Sequence, residues 1–209
     1  VRVFRLPFLI LLAAGSLGAG SSPARGPDWR VDRVLGSERL ELAAVETIVV
    51  PPGAGSKLDE ALADLTMLWT ERISAGRGDI SVARSDAAAN GATEMSPLPK
   101  NAIVLELEPQ TARPAGRFAI TRERTRIFIR AAGEEGLSNG IYALCADVLG
   151  ARWYWPGELG FEWAGETPEK FPERRWREAP AFVERRLHPV EDAFGRRNGL
   201  NRRYAFNHN

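Results

Sequence analysis

Residues 117–150, RFAITRERTRIFIRAAGEEGLSNGIYALCADVLG, decide the fold predicted for this chain. Residues 117–121 and 125–130 alternate apolar and polar side chains, as half-buried strands do. Between them, Arg122, Glu123 and Arg124 form a short polar segment that predicts a tight turn. The first part of the stretch therefore predicts an antiparallel hairpin.

The second part of the stretch predicts a helix over residues 134–149. Glu134 and Glu135 fall in its first turn, where negative charge suits the helix dipole. Gly150 stands where the helix should stop. One side of this helix is apolar and carries Leu137, Ile141, Leu144, Cys145 and Val148. The sequence after residue 117 is thus strand, strand, helix.

A first helix is predicted upstream, after a β-branched strand over residues 45–50 (VETIVV). Ser56 occupies an N-cap position, and Asp59 three residues later has the spacing of a capping box. Apolar residues then recur every three or four positions over about four turns, and they are Leu58, Leu62, Leu65, Trp69 and Ile73.

Two more strands complete the predicted elements, over residues 80–83 and 103–107, with a surface loop over residues 85–101 between them. Several strands follow one another without helices in between. This order favours an α+β fold in which helices pack on one side of a mixed or antiparallel sheet.

The composition excludes several functional classes. The 209 residues include 28 basic and 27 acidic side chains, a balance that argues against a dedicated nucleic-acid binder. A single cysteine, Cys145, excludes an intrachain disulfide framework and any multi-cysteine metal site. His188 and His208 are the only histidines, so we expect no metal and no cofactor.

The N-terminus has the pattern of an export signal. Arg2 and Arg5 precede an apolar run over residues 6–14 that is shorter than the ~20 residues needed to span a bilayer. Small residues follow, with a plausible cleavage site after Ala24. We therefore expect an exported protein, periplasmic or extracellular, without a stable membrane anchor.

Residues 151–162, ARWYWPGELGFE, hold three consecutive aromatic side chains just before a Pro-Gly turn. Together with residues 136–144 (GLSNGIYAL), 149–160 (LGARWYWPGELG) and 177–182 (REAPAF), this stretch resembles a known domain. It is the N-terminal domain that precedes the barrel in α-glucuronidase-like and β-hexosaminidase-like glycoside hydrolases. The chain looks most similar to bacterial proteins of that group that carry a domain of unknown function.

The resemblance covers residues 42–209 and rests mainly on the part after Phe118. It implies a hexosaminidase N-terminal-like α+β fold with zincin-like topology but without the zinc motif His-Glu-x-x-His, which this sequence also lacks. It implies that residues 182–187 (FVERRL) are the first strand of a (β/α)8 barrel and that residues 196–209 begin the loop and helix after it. One barrel element of eight cannot assemble a two-carboxylate site, so we expect the chain alone to be inactive.

These observations divide the chain into three parts. We expect a signal peptide over residues 1–24, the α+β domain over 25–172, and a linker with the truncated start of a barrel over 173–209. Residues 25–172 contain 17 basic and 22 acidic residues, whereas residues 173–209 contain nine and five. We interpret the arginines of the last part as partners of a barrel rather than as a nucleic-acid arm.

Seven residues are candidates for substrate contact, and none is a candidate for catalysis. For Trp153 and Trp155 two interpretations stay open: both stack on sugar rings, or they alternate across a strand, one in the core and one at the barrel interface. Arg152 between the helix and these rings is a candidate to pair with an acid of either domain or with a substrate carboxylate. The other four match positions where the resemblance implies polar side chains at the mouth of the barrel, and they are Arg197, Asn198, His208 and Asn209.

We therefore expect a non-catalytic accessory domain, as a fragment of an exported glycoside-hydrolase-like protein that acts on carbohydrate. The alternative is a stand-alone carbohydrate-binding or interaction module that uses Trp153 and Trp155.

Overall fold

The computed structural model describes residues 32–33, 40–74, 78–84, 98–108, 116–171, 174–178 and 192–200. Within these ranges the strands and helices follow the chain in a fixed order. The strands are β1 (Asp32–Arg33), β2 (Thr47–Val50), β3 (Ser81–Arg84), β4 (Ala102–Leu107), β5 (Phe118–Glu123), β6 (Arg126–Ala131), β7 (Ala151–Trp153), β8 (Phe161–Trp163) and β9 (Arg174–Glu178). The helices are α1 (Ser56–Arg72), α2 (Glu134–Leu144) and α3 (Asp192–Arg197).

Seven of these strands form one mixed sheet, in the order β1-β9-β5-β6-β4-β2-β3. Strands β3, β2, β4 and β6 are parallel neighbours, whereas β5, β9 and β1 are added antiparallel. Strands β7 and β8 form a separate antiparallel pair. The prediction of a mixed sheet with few helices is confirmed.

The hairpin of β5 and β6 has a different turn from the predicted one. The turn consists of Arg124 and Thr125, and Arg124 has a positive φ of 53°. Arg122 and Glu123, which we expected in the turn, pair with Ile127 and Arg126 inside the strands. A polar turn and a charged strand end have the same composition, and only the structure shows that Arg122 is buried.

Both long helices pack against one face of the sheet. The main core cluster contains apolar residues of α1, of α2 and of alternate positions in the strands, such as Ile48, Ile103 and Ile129. The opposite sheet face carries a smaller cluster that draws on strands and Leu98, with Val104 and Phe128 at its centre. Helices on one side of the sheet are therefore present among the described elements, as the strand order predicted.

Helix α1 starts differently from the predicted capping box. Its N-cap is Gly55, and Ser56 is the first helical residue without a side-chain cap. The Gly55 amide instead donates a hydrogen bond to Glu134 Oε1 at 2.6 Å, which links the starts of α1 and α2. Asp59, which lies three residues after Ser56, pairs with Arg84 on β3 at 2.6 Å.

Helix α2 lies unusually close to the sheet because two of its residues are glycines one turn apart. A Cβ at Gly136 would lie 2.3 Å from the carbonyl oxygen of Arg117, and a Cβ at Gly140 would lie 2.5 Å from Ile129 Cγ2. These glycines belong to the GLSNGIYAL segment of the resemblance. After Leu144 the helix continues as one π-helical turn, Cys145–Leu149, and Gly150 ends it with a φ of 79°.

The sheet extends beyond Pro172, the residue at which we expected the domain to end, because β9 pairs with both β5 and β1. Its sequence, RRWRE, is rich in charge and gave no strand signal. The predicted signal peptide (1–24), the predicted barrel strand (182–187) and residues 201–209 lie outside the described residues. Among the helices of the described ranges, none has both the length and the apolar character that crossing a bilayer requires.

The close approach of α2 generates a first prediction. Gly136→Ala should lower the free energy of unfolding by about 1 to 3 kcal/mol, because the new methyl group meets backbone atoms that cannot yield. The matched control is Gly133→Ser: Gly133 has an extended φ, is the N-cap of α2 and has nothing within 4 Å of a Cβ. Urea unfolding followed by circular dichroism measures both. Equal stabilities of the two variants would contradict the packing described.

The second prediction concerns Cys145, which is fully buried on the apolar side of α2. Burial, and then the negative charge of Asp64, raise the pKa of this thiol far above its usual range. Since the thiolate is the reactive form, Ellman's reagent should not react with the folded chain at pH 8 and should react with one thiol per chain in denaturant. Rapid reaction of the folded chain would place this side chain at the surface.

Candidate functional site

Trp153, at the end of β7, lies where the helices, the β7–β8 pair and α3 meet. The side chain is 9% exposed. Tyr142 of α2 meets its ring edge-on at 5.8 Å, and Phe161 of β8 packs on it at 5.7 Å. The Arg197 guanidinium lies over the ring at 5.4 Å from the centroid. The indole is therefore surrounded by protein and adds a cation–π contact to its apolar burial.

The same Arg197 forms a two-pronged ion pair with Asp64 of α1. Arg197 Nε donates to Asp64 Oδ2 at 2.9 Å, and Nη2 donates to Oδ1 at 2.8 Å. The Tyr142 hydroxyl also donates to Asp64 Oδ2, at 3.0 Å. The side chains are only 15% (Asp64) and 25% (Arg197) exposed, so solvent screens this pair less than a surface pair.

Tyr142 serves this cluster as a neutral donor. Burial, and then the negative charge of Asp64, raise the pKa of its hydroxyl well above the usual range. The hydroxyl therefore keeps its proton at any physiological pH, and it holds Asp64 instead of acting as a base. Both oxygens of Asp64 are in turn occupied by donors.

Two further contacts fasten α3. Asn198 Nδ2 donates to the main-chain oxygen of Trp153 at 3.3 Å. Arg196 pairs with Glu60, one turn before Asp64 on α1. We call the set Asp64, Tyr142, Trp153, Arg197 and Asn198 the anchor, because it joins α3 to both long helices and to β7.

The β7–β8 pair is clamped to the end of α1 on its other side. Trp163 packs edge-on against Phe161 at 5.0 Å, and the Arg72 guanidinium lies 5.0 Å from the Trp163 ring centroid. Arg72 also donates to Thr167 Oγ1 at 2.6 Å and to the Gly165 oxygen at 2.7 Å. A row of four aromatic rings thus has an arginine at each end.

Residues 154–159 project from this row as a loop that we call the aromatic tip. Tyr154 is 54% exposed, Trp155 71%, and Leu159 is fully exposed. The loop is closed because the Tyr154 amide donates to the Gly160 oxygen at 2.8 Å. Gly160 is required at this point, since a Cβ there would lie 2.0 Å from the Trp155 oxygen.

The structure brings three of the predicted residues together: Trp153, Arg197 and Asn198 all belong to the anchor. Trp153 and Trp155 alternate, with the first in the core and the second exposed, as one of our two interpretations holds. Arg152 faces Glu162 across the β7–β8 pair and lies 3.9 Å from Asp147. His208 and Asn209 lie outside the described residues.

Sequence reasoning missed Asp64 and Tyr142. Asp64 lies one position from Leu65 of the apolar series on α1, and Tyr142 follows Ile141 on α2. Neither position breaks the helical pattern, and nothing in the sequence says that α3 returns to cover them. Their role depends on a contact between residues more than 130 positions apart in the case of Asp64.

Other features of the described residues offer no second site with clear chemistry. Within those ranges no group of three His, Cys, Asp or Glu side chains is placed to hold a metal ion. An open groove of about 600 Å³ runs between α1 and β3, where Thr66, Met67 and Val82 line it. None of the seven predicted residues lines that groove.

The chain is similar in structure to several solved glycosidases. No family model matches it, and no curated protein matches it. It is similar to the N-acetyl-β-hexosaminidase of Streptomyces plicatus, with a TM-score of 0.47 and 13% identity over 73% of this chain and 25% of that one.

Two more of these structures have comparable values. The GH20 β-N-acetylhexosaminidase of Streptomyces coelicolor has a TM-score of 0.44 and 15% identity, over 73% of this chain and 25% of that one. The chitobiase of Flavobacterium johnsoniae has a TM-score of 0.43 and 12% identity, over 76% and 21%. The chain thus spans about a quarter or less of the length of each enzyme.

Proposed function

We propose that this chain is a non-catalytic accessory domain of an exported, glycoside-hydrolase-like protein that acts on carbohydrate. Its task is to hold the chain that follows β9 in a fixed position against the two long helices. The observation that carries the proposal is the anchor, in which Arg197 of α3 is bound by Asp64, with Tyr142 and Trp153 packed around the pair.

The chemistry of the anchor suits fastening better than catalysis. A planar guanidinium matches a carboxylate in two parallel hydrogen bonds and stacks on an aromatic face, and here Arg197 does both. Asp64 accepts three hydrogen bonds, so its carboxylate has little capacity left to act as acid or base. A group held in this way gives geometric specificity to the position of α3.

The carbohydrate context of the proposal rests on the sequence resemblance, above all on residues 149–160, and export rests on the pattern of residues 1–24. A second candidate function is a stand-alone carbohydrate-binding module. The exposed ring of Trp155 favours it, because flat aromatic faces stack on sugar rings. Trp153 adds little to this candidate, since its ring is surrounded by Tyr142, Phe161 and Arg197.

A third prediction tests the anchor. Asp64→Ala removes the carboxylate that holds Arg197, a charge-assisted interaction worth roughly 1.5 to 3 kcal/mol. Trypsin should then cut after Arg196 and Arg197 about tenfold faster or more than in the unchanged chain. The matched control is Asp59→Ala on the same helix, because Asp59 pairs with Arg84 on β3 rather than with α3. Equal cleavage rates of the two variants would contradict the proposed role.

A fourth prediction separates the two candidate functions. The purified chain should show neither glycan binding on an array nor hydrolysis of aryl glycosides, because the domain is a scaffold. Binding of a defined glycan that is lost in Trp155→Ala but kept in Met67→Ala would favour the carbohydrate-binding module. Met67 is a fair control because it is also a large exposed apolar residue, 55% exposed on α1.

A further inference from the structure

The aromatic tip leaves apolar and acidic groups uncovered side by side. Trp155 and Leu159 are its most exposed apolar side chains. Glu158 in the tip and Glu162 on β8 are also exposed, and no basic side chain of the described residues forms an ion pair with either. A rigid loop that combines large apolar groups with free carboxylates has the character of a docking surface for a basic, aromatic segment.

The chain itself brings such a segment to this place. Asn198, just after α3, touches the main-chain oxygen of Trp153, which is the residue directly before the tip. Gly199 and Leu200 follow, and Leu200 N donates to the Gly195 oxygen at 2.8 Å, so the chain turns back on α3 there. Residues 201–209, which lie outside the described residues, therefore begin within a few residues of the tip.

The sequence of this segment, NRRYAFNHN, complements the tip in charge and in apolar character. It has two arginines and no acid, against two free carboxylates at the tip. In an extended backbone, Arg202, Tyr204 and Phe206 share one side because side chains alternate. Nine extended residues reach about 30 Å, which is ample for covering a loop of six.

We propose that the aromatic tip is the docking surface for residues 201–209 of the same chain. Tyr204 and Phe206 pack on Trp155 and Leu159, and Arg202 pairs with Glu158 or Glu162. The inference rests on the proposed function to the extent that the anchor must bring the segment to the tip. It names the part of the chain that the domain holds beyond α3.

The test measures trypsin cleavage after Arg202 and Arg203 in the intact 209-residue chain, with mass spectrometry of the products. Trp155→Ala should speed this cleavage at least about fivefold, because proteolysis follows the population of the undocked segment. Cleavage after Arg196 and Arg197 should not change, because the anchor is intact. Met67→Ala, which removes a large exposed side chain from α1, should have no effect at either pair of sites.

The charge contribution has its own variant, Glu158→Gln with Glu162→Gln, which should also speed cleavage after Arg202 while Trp155 is unchanged. Cleavage of the unchanged chain that is as fast as in Trp155→Ala would overturn the docking, and so would glycan binding that requires Trp155. Failure here is distinct from failure of the proposed function. If Asp64→Ala releases α3 but Trp155→Ala releases nothing, the anchor stands and the docking of residues 201–209 is rejected.

Discussion

Trp153 is the side chain at which the separate parts of this domain make contact. Tyr142 brings α2 to the ring, Phe161 brings β8, and Arg197 brings α3 together with its partner Asp64 on α1. The main-chain oxygen of the same residue receives Asn198. A smaller side chain at this position would leave α3 with an ion pair but without the surface on which its guanidinium lies.

This meeting point exists because α2 lies so close to the sheet. Gly136 and Gly140 allow the helix to approach β5 and β6 closely. The link from Gly55 to Glu134 sets the start of α1 beside that of α2, so Asp64 and Tyr142 come within hydrogen-bond distance on neighbouring helices. The hairpin, the glycines and the anchor are thus successive consequences of one packing arrangement.

Local patterns in the sequence predicted the elements well and their ends less well. Periodicity predicted α1, α2 and the β5–β6 hairpin, because each has a clear apolar face. It misplaced the turn, since Arg122 is a buried arginine, and it missed β9, whose charged sequence lies within the sheet. The candidate list included Trp153, Arg197 and Asn198, but it lacked Asp64 and Tyr142, because contacts between distant residues leave no local signal.

The central claim is that the domain holds α3 in place through Arg197. Hydrogen–deuterium exchange of the amides in α3, compared between the unchanged chain and Arg197→Leu, tests it most directly. The account predicts protected amides at Asn198 and Leu200 in the unchanged chain, loss of that protection in the variant, and unchanged protection in β4 and β6. Exchange of these amides at the unprotected rate in the unchanged chain would contradict it.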